Sequence, residues 1–438
     1  MVDLKKNDIL DLIIIGMGPA SLSILIAAYE HSSQPLKERR IRVFEKQQEF
    51  SWHRGMLIPG SNMQISFVKD LASPRNPRSY FSFLNFLHVH GCERFHGFLN
   101  MSVMEPSRSE FHEYLSWCAS HFESLVQYDS EVASMDYDES SDTYTLSVKQ
   151  SDGTCKSVRT KNVLVATGGQ PCIPEQFRKL NTGRIRHSSE FMYPESQSYL
   201  QNAKHGVLVV GAGQSAAEIW RHCHNNVPLK LPVHMSLRSL APLPSDSSPF
   251  INSLFFDPDR AQWWYRLPEC QRLPGLASGR GTNYGVVKEG LIEEMFRIVY
   301  DQKRYTSQPT HTLLPYSFVD DIEPVEDGLE VTITFQDPQR KPTKLVQKYD
   351  VVYFATGYNH NGGHDLIRKF IPPGEKAIVH ENYVLSSEPS KQGHLYLVGL
   401  SESQHGIGET LLSWAAVRAG NIVNSIFGPN KSTEDFSL

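Results

Sequence analysis

The chain has 438 residues, too many for one ordinary hydrophobic core, so two or three domains are expected. Its formal net charge of −5 excludes the basic surface that nucleic-acid binding requires. The six cysteines, at 92, 118, 155, 172, 223 and 270, have no CxxC spacing. That argues against a zinc site or a redox disulfide, and for reduced thiols in a cytoplasmic protein.

The first predicted element is the strand Asp11-Leu12-Ile13-Ile14-Ile15, which runs into Gly16-Met17-Gly18-Pro19-Ala20-Ser21. This reads as a buried parallel strand, a tight turn and the start of a helix, a form that lets backbone approach a pyrophosphate. The stretch Leu12 to Tyr29 is uncharged and imitates a membrane segment, but Gly16, Gly18 and Pro19 fit a turn better, so no membrane span is expected. A second strand, Ile41-Arg42-Val43-Phe44, ends in Glu45, 29 positions past Gly16. A carboxylate there accepts from a ribose diol and repels a 2′-phosphate, which suits FAD or NAD. A dense cluster follows at Trp52-His53, Met56 and Met63 to Pro77, with an aromatic, polar amides and the lone Lys69. In a flavin fold this cluster lies beside the isoalloxazine ring.

Farther on, Tyr144, Leu146 and Val148 alternate with polar residues, as in an antiparallel strand. Val163-Leu164-Val165-Ala166-Thr167-Gly168 begins a return crossing. A second glycine turn, Val207-Leu208-Val209-Val210-Gly211-Ala212-Gly213-Gln214-Ser215, stands 195 positions after the first. Its following strand, Val233 to Leu237, ends in Arg238, a cation suited to a 2′-phosphate and therefore to NADPH. The Trp- and Pro-rich segment from about Asp257 to Leu276 reads as a mobile insertion. Val351-Val352-Tyr353-Phe354-Ala355-Thr356-Gly357 repeats the Ala-Thr-Gly form. The economical architecture is α/β, with two Rossmann-like dinucleotide-binding domains and a small substrate-binding region between them. Residues 1–200 form the first part of an FAD domain. Residues 201–345 form an NADPH domain carrying the substrate region at about 250–290. Residues 346–438 return to the FAD domain and end in a helix, with the tail from Gly428 to Asp435 expected to fray.

Five ordered blocks carry a resemblance: Met63 to Leu71, Ser248 to Asn252, Thr282 to Val287, Ala355 to Tyr358, and His405-Gly406 followed by Thr410 to Ser413. From Asp11 to about Gly428 the chain resembles the flavin-dependent N-hydroxylating monooxygenases of siderophore biosynthesis, the L-ornithine N5- and L-lysine N6-hydroxylating family, and its ornithine branch most. The resemblance implies that NADPH reduces FAD and that O2 then forms a C4a-hydroperoxyflavin, which oxygenates a side-chain amine in a dry pocket. It implies no metal, a small amine substrate, and a homo-oligomer, tetrameric in similar enzymes.

The same resemblance assigns residues. FAD would be held by Gly16, Gly18, Pro19, Ala20, Ser21, Glu45, Lys46, Trp52, His53, Gln64 and Leu411. NADP would be held by Gly211, Gly213, Gln214, Ser215, Arg238, Asn283, Ala355 and Thr356. Lys69 would pair with the substrate α-carboxylate, with Asn252, Asn283 and Ser413 completing the pocket. Gln64 and Asn283 would face the reacting groups. There are departures from the family pattern. Ser247 stands where a second acid is usual before the Ser-Pro-Phe block. Gly406-Ile407-Gly408-Glu409 replaces a pattern with leucine, serine and aspartate, and Trp414 replaces a small apolar residue. The Gly183–His187–Phe191 spacing echoes the broader flavin monooxygenases but has Asn181 in place of their leading aromatic. The competing readings are N-hydroxylation of lysine or a diamine, a disulfide reductase, which needs two close cysteines, and a non-catalytic flavoprotein, against which Lys69, Asn252 and Asn283 argue.

Overall fold

The computed structural model describes residues 8–31, 36, 39–180, 182–339, 341–359 and 364–429. Asn181 and the tail from residue 430 therefore lie outside the described residues. Two sheets are built on one plan. In the first, the strand Ile9–Ile15 is flanked in parallel by Ile41–Phe44 and by the later half of Cys155–Val165. The earlier half of that long strand continues antiparallel into Thr143–Gln150, which pairs with Ser130–Asp138. The alternation at Tyr144, Leu146 and Val148 is therefore an antiparallel strand, and all three side chains are buried. Leu395–Leu397 returns to lie parallel beside Val163–Val165.

The second sheet is parallel throughout, in the order His311–Leu314, Val233–Ser236, Val207–Val210, Val351–Phe354, Ile185–His187. Its strands are short, and the two central ones, Val207–Val210 and Val351–Phe354, are wholly apolar, as expected when both faces are covered. A three-stranded antiparallel sheet, Ser317–Val325, Gly328–Phe335 and Thr343–Tyr349, precedes its return strand. It corresponds in position to the antiparallel strands of the first sheet.

The domain boundaries differ from the expected ones at two points. Ile185–His187 falls inside 1–200 and Val351–Phe354 inside 346–438, yet both strands belong to the second sheet. The reason lies at the turn glycines. A Cβ on Gly16 would stand 2.6 Å from the Ala166 carbonyl oxygen, and one on Gly211 would stand 2.5 Å from that of Ala355. Each Ala-Thr-Gly strand thus closes against its own glycine turn. The two strands look alike in sequence, so only their pairing separates them. The chain returns to the first sheet at Leu395–Leu397, not at Val351.

The segment 257–276 is also not a mobile insertion. It folds as the helices Ala261–Arg266 and Glu269–Arg280. Pro258 opens a short 3₁₀ turn and Pro268 caps the second helix, positions where a missing N–H costs nothing. Trp264 and Leu276 are buried in a cluster with Ile407 and Trp414.

Candidate active site

The two glycine turns are superimposable in their bonding. Gly16, at φ +96°, donates its N–H to the Phe44 carbonyl at 2.8 Å, and Gly211 donates to that of Ser236 at 3.0 Å. Gly18 and Gly213 then cap the helices Pro19–Glu30 and Gln214–Asn226 without any side-chain partner for the first N–H groups. Open space surrounds the point where a Cβ on Gly18 would stand. A phosphate group can come up against that backbone and face the positive end of the helix. Pro19 occupies the first turn of its helix, and Ser21 turns its hydroxyl back to the Gly16 carbonyl at 2.7 Å. These features fit a dinucleotide at each turn.

The residues beyond the turns differ in charge. Glu45 is buried and accepts from Met17 N–H at 2.7 Å and Gln47 N–H at 2.8 Å. Each oxygen keeps a lone pair for a ribose hydroxyl, while its neighbour Lys46 is exposed. Arg238 stands at the corresponding place in the second sheet, exposed and without a carboxylate partner among the described residues. Gln214 does not point only at its turn. Its amide donates to Glu218 at 2.9 Å and accepts from Lys288 N–H at 2.8 Å. Ser215 lies half-buried in the first helical turn. Gly213 packs against Gly285, with a Cβ at 213 lying 3.4 Å from the Gly285 Cα, which brings the loop carrying Asn283 to the second turn. Thr356 is exposed, and its hydroxyl donates to the Cys172 carbonyl.

The remaining candidates stand on loops and short helices outside the two turns. Trp52 meets His53 edge-on at 5.0 Å, and His53 meets Tyr358 at 5.8 Å. Solvent reaches the His53 ring, but the protein mass around it, helped by positive charge on Arg108 and His187, pushes its pKa down to about 4. The ring is therefore neutral at physiological pH. Gln64 is exposed and is positioned by its neighbours Met63 and Ile65, which pack into the first core.

Lys69 and Asn252 lie 183 positions apart, yet the Lys69 ammonium donates to Asn252 Oδ1 at 3.1 Å. Burial lowers the Lys69 pKa, and Asp257 partly opposes that shift. Asn252 spends its own N–H groups on the Ser247 carbonyl at 2.6 Å and the Ser248 carbonyl at 3.3 Å, which fixes the amide plane. Asp70 organises the turn beside Lys69 by accepting from the N–H groups of Ala72, Ser73 and Phe83. Ser413 is 3 % exposed, and its hydroxyl has no protein partner. A buried hydroxyl left open in this way is a place for a ligand atom. Asn252, Asn283 and Ser413 each have a chain neighbour (Ile251, Tyr284 and Trp414) in one apolar cluster, and Leu411 packs there too. Tyr284 also ties its loop to the final segment, with its hydroxyl 2.5 Å from Glu402 Oε2.

Three features had no sequence assignment. Arg108 forms a buried two-pronged pair with Glu218, at 2.8 and 2.9 Å, joining a helix packed on the first sheet to one packed on the second. Glu409 and Arg418 form a second buried pair under the final helix. The Asp70 turn is the third. Asp70 stands inside the Met63 to Leu71 block and Glu218 just beyond the second glycine turn, but nothing in a linear pattern names a partner 110 positions away.

A family model described as L-lysine 6-monooxygenase/L-ornithine 5-monooxygenase matches residues 8–360. The L-ornithine N(5)-monooxygenase of Schizosaccharomyces pombe is 52 % identical over 425 residues, 97 % of each chain. The ornithine hydroxylase of Pseudomonas aeruginosa has a similar structure, with TM-score 0.86, 31 % identity, and coverage of 96 % of this chain and 99 % of that one. An ornithine N-hydroxylase of Kutzneria sp. 744, with reduced FAD, NADP⁺ and L-ornithine, gives TM-score 0.84 at 31 % identity, covering 96 % and 99 %.

Proposed function

The chain belongs to the L-lysine 6-monooxygenase/L-ornithine 5-monooxygenase family, and on that premise we propose that it is an FAD- and NADPH-dependent monooxygenase that N-hydroxylates the side-chain amine of L-ornithine. The product would serve a hydroxamate siderophore or related metabolite. The observation that carries the substrate reading is the Lys69–Asn252 contact at 3.1 Å, and the unpartnered buried Ser413 hydroxyl supports it. When bound, FAD supplies the activation of O2 after reduction by NADPH.

The chain's own residues bind, orient and exclude water. The first turn, with Gly16, Gly18, Pro19, Ala20, Ser21 and Glu45, would hold the FAD pyrophosphate and ribose. The second turn, with Gly211, Gly213 and Ser215, would hold that of NADPH, with Arg238 on its 2′-phosphate. Trp52, His53 and Gln64 would lie along the flavin, and Asn283, Ala355 and Thr356 along the nicotinamide side. The Lys69 ammonium would take the substrate carboxylate while Asn252 and Ser413 take its other polar groups. A carboxylate held there sets the reach of the side chain, and the aromatic cluster behind Asn252 keeps the amine end dry. We place the reaction in the cytoplasm, a reading supported by six free cysteines. Among the described residues no helix is long and apolar enough to cross a membrane. We also propose a homo-oligomer; Phe296, Tyr300 and Tyr305, all exposed along one helix, offer apolar surface for it.

The test is NADPH-dependent hydroxylamine formation across ornithine, lysine, putrescine and cadaverine. L-Ornithine is expected to give the highest kcat/KM. One extra methylene moves the amine by roughly 1 Å, which can lower the rate on the order of a hundredfold. Diamines should do worst, since they leave Lys69 without a carboxylate. A kcat/KM for lysine or cadaverine above that for ornithine would overturn the substrate and keep the N-hydroxylase reading.

A further inference from the structure

The two departures from the family pattern in the last block, Gly408 and Trp414, meet in space. A Cβ built on Gly408 would lie 2.0 Å from Trp414 Cε2 and 2.2 Å from its Nε1. The indole therefore rests on bare backbone, and no side chain fits beneath it. Trp414 is 1 % exposed, and its N–H has no hydrogen-bond partner. Shape alone holds it there. Trp264 repeats the arrangement one layer away. A Cβ on Gly406 would lie 2.8 Å from its ring, and the ring stacks on Phe255 at 5.6 Å.

This aromatic layer is what the helix Pro249–Phe255 stands on. That helix has no buried residue of its own. Besides the Lys69–Asn252 contact, it is attached through Ile251 and Phe255 against the cluster, Phe256 just beyond its end, and Trp264 Nε1 donating to the Leu254 carbonyl at 3.2 Å. Asn252 rides on that helix, and Ser413 is the residue before Trp414. Displacing the indole would therefore move two parts of the proposed pocket together.

Resting on the ornithine reading, we propose that Trp414, seated on Gly408, is a positioning residue for the substrate pocket, holding Asn252 and Ser413 at the distance from Lys69 that one side-chain length requires. A methyl-sized group at 408 has nowhere to go unless the indole leaves. A smaller residue at 414 makes room for it, so the two positions act as one unit.

The experiment is a double-mutant cycle on the flavin-loaded enzyme with Gly408→Ser, Trp414→Ala and both together, and with Trp414→Phe as the conservative variant. Gly408→Ser is expected to raise KM for ornithine at least tenfold while NADPH-driven flavin reduction stays within twofold of wild type. Trp414→Ala should also raise KM, and the double variant should be no worse than Trp414→Ala alone, so that the two losses do not add, while Trp414→Phe should remain near wild type. Unfolding midpoints measured on the same four proteins should be non-additive in the same sense. An unchanged KM in Gly408→Ser, or a double variant no better than the sum of the singles, overturns the proposal. If Gly408→Ser does not fold, Trp414→Ala decides the matter: KM must rise with flavin reduction preserved. A wild type that hydroxylates none of the amines would sink the ornithine reading instead, and the unfolding cycle then decides the 408–414 unit by itself.

Discussion

An ammonium that loses water and gains an asparagine carbonyl at 3.1 Å, with the Asp257 charge only partly opposing its burial, is held at a cost that a bound carboxylate would offset. Lys69→Ala should therefore still allow NADPH to reduce the flavin yet make little hydroxylamine, with KM for ornithine raised more than kcat falls. If the variant lost flavin reduction and kept its affinity for the amino acid, the role given to Lys69 would be wrong. Arg238 stands at the opposite extreme, exposed at the end of the strand Val233–Ser236. Arg238→Ala should weaken NADPH by roughly 1.5–3 kcal/mol, the usual worth of a charge-assisted contact, and leave NADH almost untouched. Equal affinity of the wild type for both nucleotides, measured by flavin-reduction KM, would count against it. Both residues can be proposed from the sequence, but for different reasons. Arg238 follows from its distance past a glycine turn. Lys69 has no local signal, and only its surrounding block singles it out.

Contacts between elements were the least legible. Arg108 begins the helix Arg108–Ser120, where Ser107 caps the chain by accepting from Glu110 N–H at 3.1 Å. From there its guanidinium reaches Glu218, which is 1 % exposed, and also the Met56 carbonyl at 2.8 Å. Such a planar fork suits a carboxylate better than a lysine would. Arg108→Met should leave a buried unpaired carboxylate and lower stability by about 3 kcal/mol, whereas Glu218→Gln, which keeps an acceptor and removes the charge, should lower it less. Urea unfolding of the two variants checks the order, and equal losses would mean the pair is not the main tie between these helices. The helices at 261–280 were missed for a related reason. Pro258 and Pro268 sit here at first-turn and cap positions, Pro274 is carried inside the second helix, and the tertiary cluster around Trp264 supplies the burial that composition does not reveal.

At the scale of the whole molecule, two copies of one plan explain both what was readable and what was not. Glycine after a β-branched strand located each turn. The two Ala-Thr-Gly strands are indistinguishable by pattern, so sequence alone puts the return to the first sheet at Val351, whereas it comes at Leu395–Leu397. The copies differ in their titratable cores. The second sheet carries His311, which is fully buried, and His234 on the neighbouring strand, and burial pushes each down to about 4. His311 faces His224, Nδ1 to Nδ1 at 2.9 Å, and His234 faces the Tyr349 hydroxyl at 2.6 Å. In the unfolded chain each would titrate near 6.5. Between those values the unfolded state binds more protons than the folded one, so stability falls as pH falls from about 6.5 to 4. For His311 alone the loss from pH 7 to pH 5 should be roughly 1–2 kcal/mol. Unfolding midpoints at the two pH values should therefore drop more in the wild type than in His311→Asn, which has no ring to protonate. An equal drop in both proteins would place the acid sensitivity elsewhere, in the carboxylates and not in the second sheet.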